Sequence, residues 1–222
     1  MRIAAVLVLI FSTLEVFSQD TEIFLSRLKR TYSSIESLHA KMEVIQGDSS
    51  DELEVWYDSK NSRLISKKME MLNTEKFYLI VDKESREMHL QELSEQNIPI
   101  ENPNQLPIDS LLAMSTKVHI DTTKSNAIVM KLLLDHPIIE TMEITFNSKM
   151  MLISNHYWIQ RSGAKKMKVE INYKIFEINP VLNKDIFAAS HYLMENSNLE
   201  VPSSNFATYH LNRAPTYNLN SN

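Results

Sequence analysis

The 222-residue sequence contains no cysteine and only two glycines, Gly47 and Gly163. Without cysteine, the chain can form neither a disulfide nor a cysteine-ligated zinc site. Because the two glycines lie far apart, no GxGxxG fingerprint and no glycine-rich phosphate loop can exist. These absences exclude the usual dinucleotide-binding and P-loop motifs, and they exclude a fold held together by disulfides.

Motifs of hydrolytic and metal-dependent enzymes are missing as well. The sequence has no HExxH, no Cys/His zinc pattern and no GxSxG elbow. The seven histidines are scattered along the chain: His39, His89, His119, His136, His156, His191 and His210. Carboxylates are spread evenly, as on a solvated surface, and the formal net charge of −5 provides no basic field for nucleic acid. The sequence therefore favours a protein that is not an enzyme and needs no metal or cofactor.

The apolar run at the N terminus predicts an export signal. Two residues, Met1 and Arg2, precede the apolar residues 3–11, and Val16-Phe17-Ser18 offers a cleavage site. This pattern predicts a Sec signal peptide over residues 1–18, too short to span a membrane. No later run of 18 apolar residues occurs, and no cysteine can take the first mature position to carry a lipid. We therefore expect a cleaved, non-lipidated, soluble protein that is exported.

The stretch Ile138–Phe176 carries the strongest pattern in the sequence. It predicts three long antiparallel strands in which apolar and polar side chains alternate, so that one face contacts a core and the other contacts water. The first strand has an apolar face of Met142, Ile144 and Phe146, and the second has Met151, Ile153, Tyr157 and Ile159. The third strand is the clearest, with Met167, Val169, Ile171, Tyr173 and Ile175 on one face.

Further elements are predicted on both sides of this stretch. Residues Thr21–Ser34 and Ile108–Met114 have the spacing of amphipathic helices. Alternation predicts strands at Leu38–Gln46, Leu53–Tyr57, Arg63–Leu72, Phe77–Val81, Arg86–Glu92, Lys117–Thr122 and Ala127–Asp135. The proline-containing stretch Ser94–Pro107 reads as a loop, and Leu182–Ala189 as a terminal turn around Phe187.

These elements predict one α+β, mostly β domain over residues 19–195. About ten to eleven antiparallel strands curl rather than remain flat, and the two helices are the available cover for the concave side. Residues 196–222 are rich in Asn and Ser and form a tail that is either disordered or laid along the sheet. Several of the twelve methionines fall on predicted inward faces, which favours an adaptable apolar groove over ordinary core filling.

Three segments resemble one family in order and spacing. They are the opening helix followed by Ser37, Ala40 and Met42, the strand end Leu79–Asp82, and the closing stretch Phe176–Phe187. Together, over residues 20–192, they resemble the LolA-like periplasmic carriers of the outer-membrane lipoprotein-localisation pathway. The resemblance implies an unclosed antiparallel β half-barrel whose helices cover a concave, lipid-binding face.

The resemblance also implies a function and a set of site residues. The protein would bind the acyl chains of lipoproteins released from the inner membrane by an ABC transporter, and would deliver them, as a monomer, to an outer-membrane acceptor. The predicted lipid-binding groove is Leu38, Met42, Val44, Val55, Tyr57, Leu79, Met142, Ile144, Phe146, Ile153, Val169, Ile171 and Tyr173. The predicted lid residues are Phe24, Leu28, Leu111, Leu112 and Met114.

Two positions depart from the family pattern. The family's Arg-Pro after the second strand, whose Arg holds the lid in some members, is missing, and either Lys60 or Arg63 is the candidate substitute. The glycine of the family's Asp-Gly turn is Lys83 here. Three alternatives stay open on the same fold: a carrier or sensor of another lipid, an interaction module that binds a polypeptide partner, and a hydrolase.

Overall fold

The computed structural model describes residues 21–93, 108–122, 126–159, 166–196 and 199–213. The predicted signal peptide, the predicted loop Ser94–Pro107 and the last nine residues of the predicted tail lie outside the described residues. Helix α1 covers residues 21–33, and helix α2 covers Ile108–Ala113. Both agree with the predicted helices within one residue at the ends that can be compared.

Fourteen strands are assigned in the described chain. They are β1 (Ser37–Gln46), β2 (Ser49–Asp58), β3 (Ser62–Ile65), β4 (Met69–Asn73), β5 (Phe77–Asp82), β6 (Glu87–Glu92), β7 (Ser115–Asp121), β8 (Ala127–Leu134), β9 (Ile139–Asn147), β10 (Leu152–Ile159), β11 (Met167–Ile178), β12 (Leu193–Asn196), β13 (Leu199–Pro202) and β14 (His210–Arg213). Short 3-10 turns lie at Lys184–Phe187, Ala189–His191 and Ser204–Phe206.

Twelve of these strands form one sheet in the order β14-β6-β5-β4-β3-β2-β1-β11-β10-β9-β8-β7. Every neighbouring pair is antiparallel except β14 and β6, which are parallel. The sheet is unclosed, with β14 and β7 at its two edges. This confirms the predicted fold class, a large and mainly antiparallel open sheet with few helices.

Two local features explain why the strand number exceeds the prediction. The predicted strand Arg63–Leu72 is divided, because the backbone N–H of Ser66 donates to the carbonyl oxygen of Met69 at 2.8 Å and reverses the chain. The predicted tail supplies β14, which extends the large sheet beside β6, and β13, which pairs with β12 in a separate two-stranded sheet. Of the two alternatives for the tail, disordered or laid along the sheet, its described part therefore shows the second.

The end of helix α1 is fixed by a single side chain. Oδ1 of Asn179 accepts hydrogen bonds from the backbone N–H groups of Glu36 at 2.8 Å and Ser37 at 3.1 Å. Its Nδ2 group donates to the carbonyl oxygen of Ser34 at 3.0 Å. Asn179 follows β11 in a left-handed conformation, with φ of 56°, which Asn tolerates better than most residues. The contact joins the start of β1 to the end of β11.

Register defines two faces of the sheet. We call the face that packs against α1 and α2 the inner face, and the opposite one the outer face. The inner core combines both helices with β1, β2 and β8–β10, and its buried members are Phe24, Leu28, Tyr32, Ile35, Leu38, Ala40, Tyr57, Leu111, Met130, Leu132, Leu134, Met142, Ile144, Phe146, Met150 and Leu152. A second, outer core lies between β4–β6 and the segment after β11, and contains Leu72, Leu79, Val81, Met88, Leu90, Phe187, Tyr192, Leu193 and Phe206.

Candidate functional site

The inner face of the sheet is the candidate site, since the two helices rest on it through apolar contacts. Leu28 of α1 is fully buried, and the ring of Phe24 meets the ring of Phe146 edge-on, with centroids 6.0 Å apart. The ring of Tyr32 lies 6.3 Å from Phe146 and 6.2 Å from Phe176. Edge-on aromatic pairs add modest stability beyond the burial of their area. Helix α1 is therefore held chiefly by packing.

Polar contacts attach the same helix to the turn between β9 and β10. The hydroxyl of Tyr32 donates to the backbone carbonyl of Met150 at 3.1 Å in a buried position. The guanidinium of Arg27 donates to the carbonyl of Ser148 at 3.3 Å on the surface. Met150 itself has a left-handed backbone, with φ of 66°, and a buried side chain, so this turn is a specific structure against which the helix closes.

Neither candidate for the lid-holding Arg reaches the helices. Lys60 is exposed and pairs with Glu75 at 2.9 Å. Arg63 is opposite Trp56 in the register and therefore lies on the outer face, where its Nη1 donates to the carbonyl of Ile186 at 3.1 Å. Neither residue therefore has the role of the family Arg in this structure, since Arg63 lies on the outer face and Lys60 pairs with Glu75.

The inner face remains apolar beyond the helix-covered core. On β2, β3, β4 and β5 it presents half-buried side chains that pack, within the described chain, against neither core: Leu53, Leu64, Met69, Met71 and Ile80. Near the β14 edge it ends in a pocket of about 280 Å³ lined by Tyr78, Ile80, His89, Leu90, Gln91, Asn212 and Arg213. The helices therefore cover only part of a longer apolar surface.

Most of the predicted groove residues lie on this face. Register places there Leu38, Met42, Val44, Val55, Tyr57, Met142, Ile144, Phe146, Val169, Ile171 and Tyr173. Leu38, Tyr57, Met142, Ile144 and Phe146 are buried in the inner core, whereas Met42, Val44, Ile171 and Tyr173 are half-buried. The predicted lid residues Phe24, Leu28 and Leu111 are buried, and Leu112 and Met114 pack against the same core.

Two predicted groove positions are wrong. Leu79 pairs with Leu72 on the outer face and is fully buried in the outer core, under the segment that follows β11. Ile153 is 40% exposed, because a register shift between Leu152 and Ser154 turns Leu152 inward instead. Leu152 is 5% exposed and is opposite Phe146, so it takes the inward position that the alternation assigned to Ile153.

A second register shift alters the strand that looked most regular. Met42 is paired with Tyr173 and Lys41 with Ile175, so one residue of β11 is inserted as a bulge at this point. Ile175 consequently lies on the outer face, and Phe176 takes the inner position beside Tyr173, with ring centroids 5.3 Å apart. Sequence alternation missed both Leu152 and Phe176, since a bulge reverses the pattern without any local signal in these residue types.

Asn155 is a polar side chain within an apolar part of the inner face. It lies between Ile144 on β9 and Ile171 on β11. Its Oδ1 atom is buried and has no hydrogen-bond partner. A buried polar atom without a partner costs about 1–3 kcal/mol of stability. Burial, with a smaller effect of nearby Tyr157, raises the pKa of Tyr173, two residues along β11 from Ile171, to about 12.

The outer face of β1, β2 and β11 is by contrast charged. Lys41 contacts Glu52 at 2.8 Å, and Lys174 contacts the same carboxylate at 2.6 Å. Hydrogen bonds from Lys174 and Lys41 lower the pKa of Glu52 to about 2. His39 stacks on Trp56 with centroids 5.3 Å apart. This face is suited to water, so binding of an apolar ligand is expected on the inner face.

A further pocket lies on the outer face of β7–β10. It measures about 290 Å³ and is lined by Lys117, His119, Lys131, Leu132, Leu133, Thr141, Met142, Glu143 and Trp158. Lys131 pairs with Glu143 at 3.2 Å. Among the described residues, no group of His, Asp and Glu side chains is arranged to hold a metal ion. Across the same residues, no helix has the length and apolar character needed to cross a bilayer.

No protein-family model and no curated protein matches the sequence. Similar solved structures include MucB, with a TM-score of 0.52 and 9% identity over 77% of this chain and 63% of that chain. The complex of MucA and MucB from Pseudomonas aeruginosa gives a TM-score of 0.50 and 11% identity over 77% of this chain and 61% of that chain. The LolA superfamily protein NE2245 from Nitrosomonas europaea gives a TM-score of 0.33 and 10% identity over 75% of this chain and 97% of that chain.

These values limit what the similarity means. The chain spans less than two thirds of the MucB chains that it matches, and the identities are at most 11%. Similarity at this level concerns the fold and leaves ligand and partner open. The protein is therefore distantly similar in fold to MucB, with an open antiparallel sheet and helices on its inner face.

Proposed function

We propose that this protein is a periplasmic carrier that binds the acyl chains of lipoproteins on its inner face and delivers them to the outer membrane. The observation that carries the proposal is the apolar inner face that continues past α1 and α2 on half-buried residues such as Leu53, Met71 and Ile80. This surface extends beside the helices to the pocket of about 280 Å³ near the β14 edge, where a ligand can be placed. The predicted signal peptide and the absence of cysteine support export without a lipid anchor.

The energetics of transport are consistent with such a surface. Each CH₂ group removed from water contributes about 0.8 kcal/mol, so an exposed acyl chain needs a sheltered surface to cross an aqueous space. Helix α1 competes with the ligand, because its residues Phe24, Leu28 and Tyr32 fill part of the inner face. A loaded state in which the helix moves aside and an empty state in which it closes would differ little in free energy, which permits release. Neither a cofactor nor covalent chemistry is involved.

Release of lipoproteins tests this proposal directly. The purified chain from residue 19 onward is added to spheroplasts, and lipoproteins in the supernatant are detected by their acyl chains. We expect stoichiometric release of complexes. The matched control is Ile171→Glu, which places a charge on the half-buried inner face and should abolish release. Absence of release by the unaltered chain, under conditions where an established carrier from the same cells works, contradicts the proposal.

A carrier or sensor of another lipid is the nearest variant of this function. It uses the same inner face and predicts that a different lipid copurifies with the chain. Mass spectrometry of ligands extracted from the purified protein separates the two, since acylated polypeptide and free lipid differ in mass and in protease sensitivity.

The second candidate function is a non-enzymatic interaction module that binds a polypeptide partner. The observation that favours it is that MucB has been solved in complex with MucA. This function predicts no copurified lipid and a partner protein that remains bound through washing with detergent.

A further inference from the structure

Asn155 interrupts a row of apolar side chains that crosses the inner face. Its neighbours in the row are Ile144 on β9 and Ile171 on β11, and the row continues to Met130 on β8 and Val44 on β1. The Oδ1 atom of Asn155 is buried, and no group of the described residues donates a hydrogen bond to it. Most buried side-chain polar atoms have a partner, so an acceptor that the described residues leave unpaired is available to a donor on a ligand.

The position of Asn155 supports this interpretation. On one side Ile144 is fully buried in the core beneath the helices, and on the other side Ile171 and Val44 are half-buried and outside that core. Asn155 therefore lies at the border between the helix-covered and the open part of the inner face. A ligand whose chain occupies the apolar surface would have its polar end within reach of this border.

We propose that Asn155 is the polar anchor of the inner face and that its ligand is an acyl chain with an amide N–H at its head. This inference rests on the proposed function. A hydrocarbon, an ester or an ionised carboxylate has no hydrogen to donate to Oδ1, whereas an acyl amide has one N–H. The carboxamide of Asn also carries N–H donors, which pair with the carbonyl of the same ligand amide.

A pair of ligands that differ in one atom tests the anchor. N-dodecanoylglycine methyl ester has the amide N–H, and O-dodecanoylglycolic acid methyl ester replaces it with oxygen at the same chain length. Binding is measured by displacement of 1-anilinonaphthalene-8-sulfonate from the mature chain. We expect the amide to bind at least fivefold more tightly than the ester.

Two matched variants assign this preference to Asn155. Asn155→Leu removes the unpaired acceptor, so we expect it to fold with undiminished stability, to bind both ligands and to lose the preference for the amide. Asn172→Leu makes the same change on β11, opposite Glu43 on the outer face, and should keep the preference. Equal binding of both ligands by the unaltered chain, or an amide preference retained in Asn155→Leu, overturns the inference.

The outcomes also separate this inference from the proposed function. Failure of both ligands to bind contradicts the two together, whereas binding of both without preference contradicts the anchor alone. An N-dodecanoyl hexapeptide that begins with glycine distinguishes the two sources of an acyl amide. Tighter binding of the peptide supports an acylated polypeptide, and tighter binding of the glycine ester supports a small N-acyl lipid; the amide anchor holds in both cases.

Discussion

The hydroxyl of Tyr192 donates a hydrogen bond to Oε2 of Glu70 at 2.5 Å. Oε1 of the same carboxylate contacts Nζ of Lys83 at 3.0 Å, and Oε2 lies 3.4 Å from Nη2 of Arg63. Tyr192 is fully buried and Glu70 is 9% exposed. The contact therefore joins the segment after β11 to strand β4 away from water, and it closes the outer core.

Removal of the Tyr192 hydroxyl should destabilise the protein. Tyr192→Phe keeps the ring contact with Phe206, whose centroid is 5.3 Å away, but leaves the buried Glu70 with one donor fewer. We expect a loss of about 2 kcal/mol in the free energy of unfolding, measured by urea titration. Tyr209→Phe is the control, since Tyr209 packs on the same core and its hydroxyl makes no described hydrogen bond. Equal losses in both variants would argue against a specific role of the Glu70 contact.

Glu70 should also make stability depend on acid. Burial raises the pKa of Glu70, but hydrogen bonds from Tyr192 and Lys83, together with the charges of Lys83 and Arg63, outweigh burial and hold the pKa below its usual value. The unfolded chain, with a Glu pKa of about 4.3, binds more protons in this range, so stability rises with pH there. The contribution is complete well above pH 4.3 and is lost as pH falls through the folded pKa.

Variants at this site should change the acid limb in two different ways. Glu70→Gln removes the contribution of this carboxylate to the pH dependence of the unfolding free energy. The plot of unfolding free energy against pH therefore becomes shallower below about pH 4.3. In Tyr192→Phe one of the interactions that lowers the pKa of Glu70 is removed. The loss of unfolding free energy in acid should therefore occur at higher pH. If the unfolding free energy falls identically with acid in the unaltered chain and in both variants, Glu70 does not govern that fall.

The two faces of β11 allow a matched test of ligand binding. Ile171 and Ile175 lie on the same strand, and the bulge puts Ile171 on the inner face and Ile175 on the outer face. We expect Ile171→Glu to reduce acyl-chain affinity at least tenfold with a smaller loss of stability, and Ile175→Glu to leave affinity unchanged. Fluorescent fatty-acid titration and urea unfolding measure the two quantities. If both variants reduce affinity equally, the inner face is not the binding surface.

Ile144 is a poor choice for the same test, although it is opposite Asn155 on the inner face. Its side chain is fully buried in the inner core beneath the helices. A carboxylate there is buried without a countercharge, so Ile144→Glu should unfold the protein. Circular dichroism is expected to show loss of the folded spectrum, in contrast to the folded Ile171→Glu.

Loosening helix α1 should raise affinity while lowering stability. Tyr32→Phe removes the buried hydrogen bond to Met150 at 3.1 Å and keeps the ring contacts with Phe146 and Phe176. A loss of about 1 kcal/mol from the closed state shifts the population toward the open state and raises apparent ligand affinity about fivefold. The midpoint of thermal unfolding should fall in the same variant.

Tyr57→Phe provides the comparison for this change. Tyr57 belongs to the same inner core, and its hydroxyl makes no described hydrogen bond. We expect the melting temperature to stay close to that of the unaltered chain and the affinity not to rise. A fall in affinity in Tyr32→Phe would mean that the helix forms part of the binding surface and does not compete with the ligand.

Alternation along the sequence was sufficient for most of the inner face. On β1 and β9 every second side chain is apolar, and these strands have the predicted positions and orientation, with Leu38 and Phe146 facing the helices. The reason is local: a strand with one buried face must repeat with a period of two. The helical spacing of Phe24 and Leu28 likewise predicted which side of α1 is buried.

Strand β5 shows where local pattern was insufficient. Phe77, Leu79 and Val81 face one way and Tyr78 and Ile80 the other, so both faces are apolar and alternation cannot say which one is the site. The answer depends on residues more than a hundred positions later, since Phe187, Tyr192 and Phe206 cover the outer side. A contact over that separation leaves no mark in the sequence of β5 itself.

The sequence by itself determined the fold class, the two helices and the polarity of most strands, because these follow from periodicities within single segments. Only the tertiary structure decided which apolar residues stay available to a ligand. The bulges at Ile153 and Lys174, the closing of the outer core and the unpaired Oδ1 of Asn155 all arise from pairing between distant strands. Such pairing is set by the total packing free energy of the chain, which no local pattern contains.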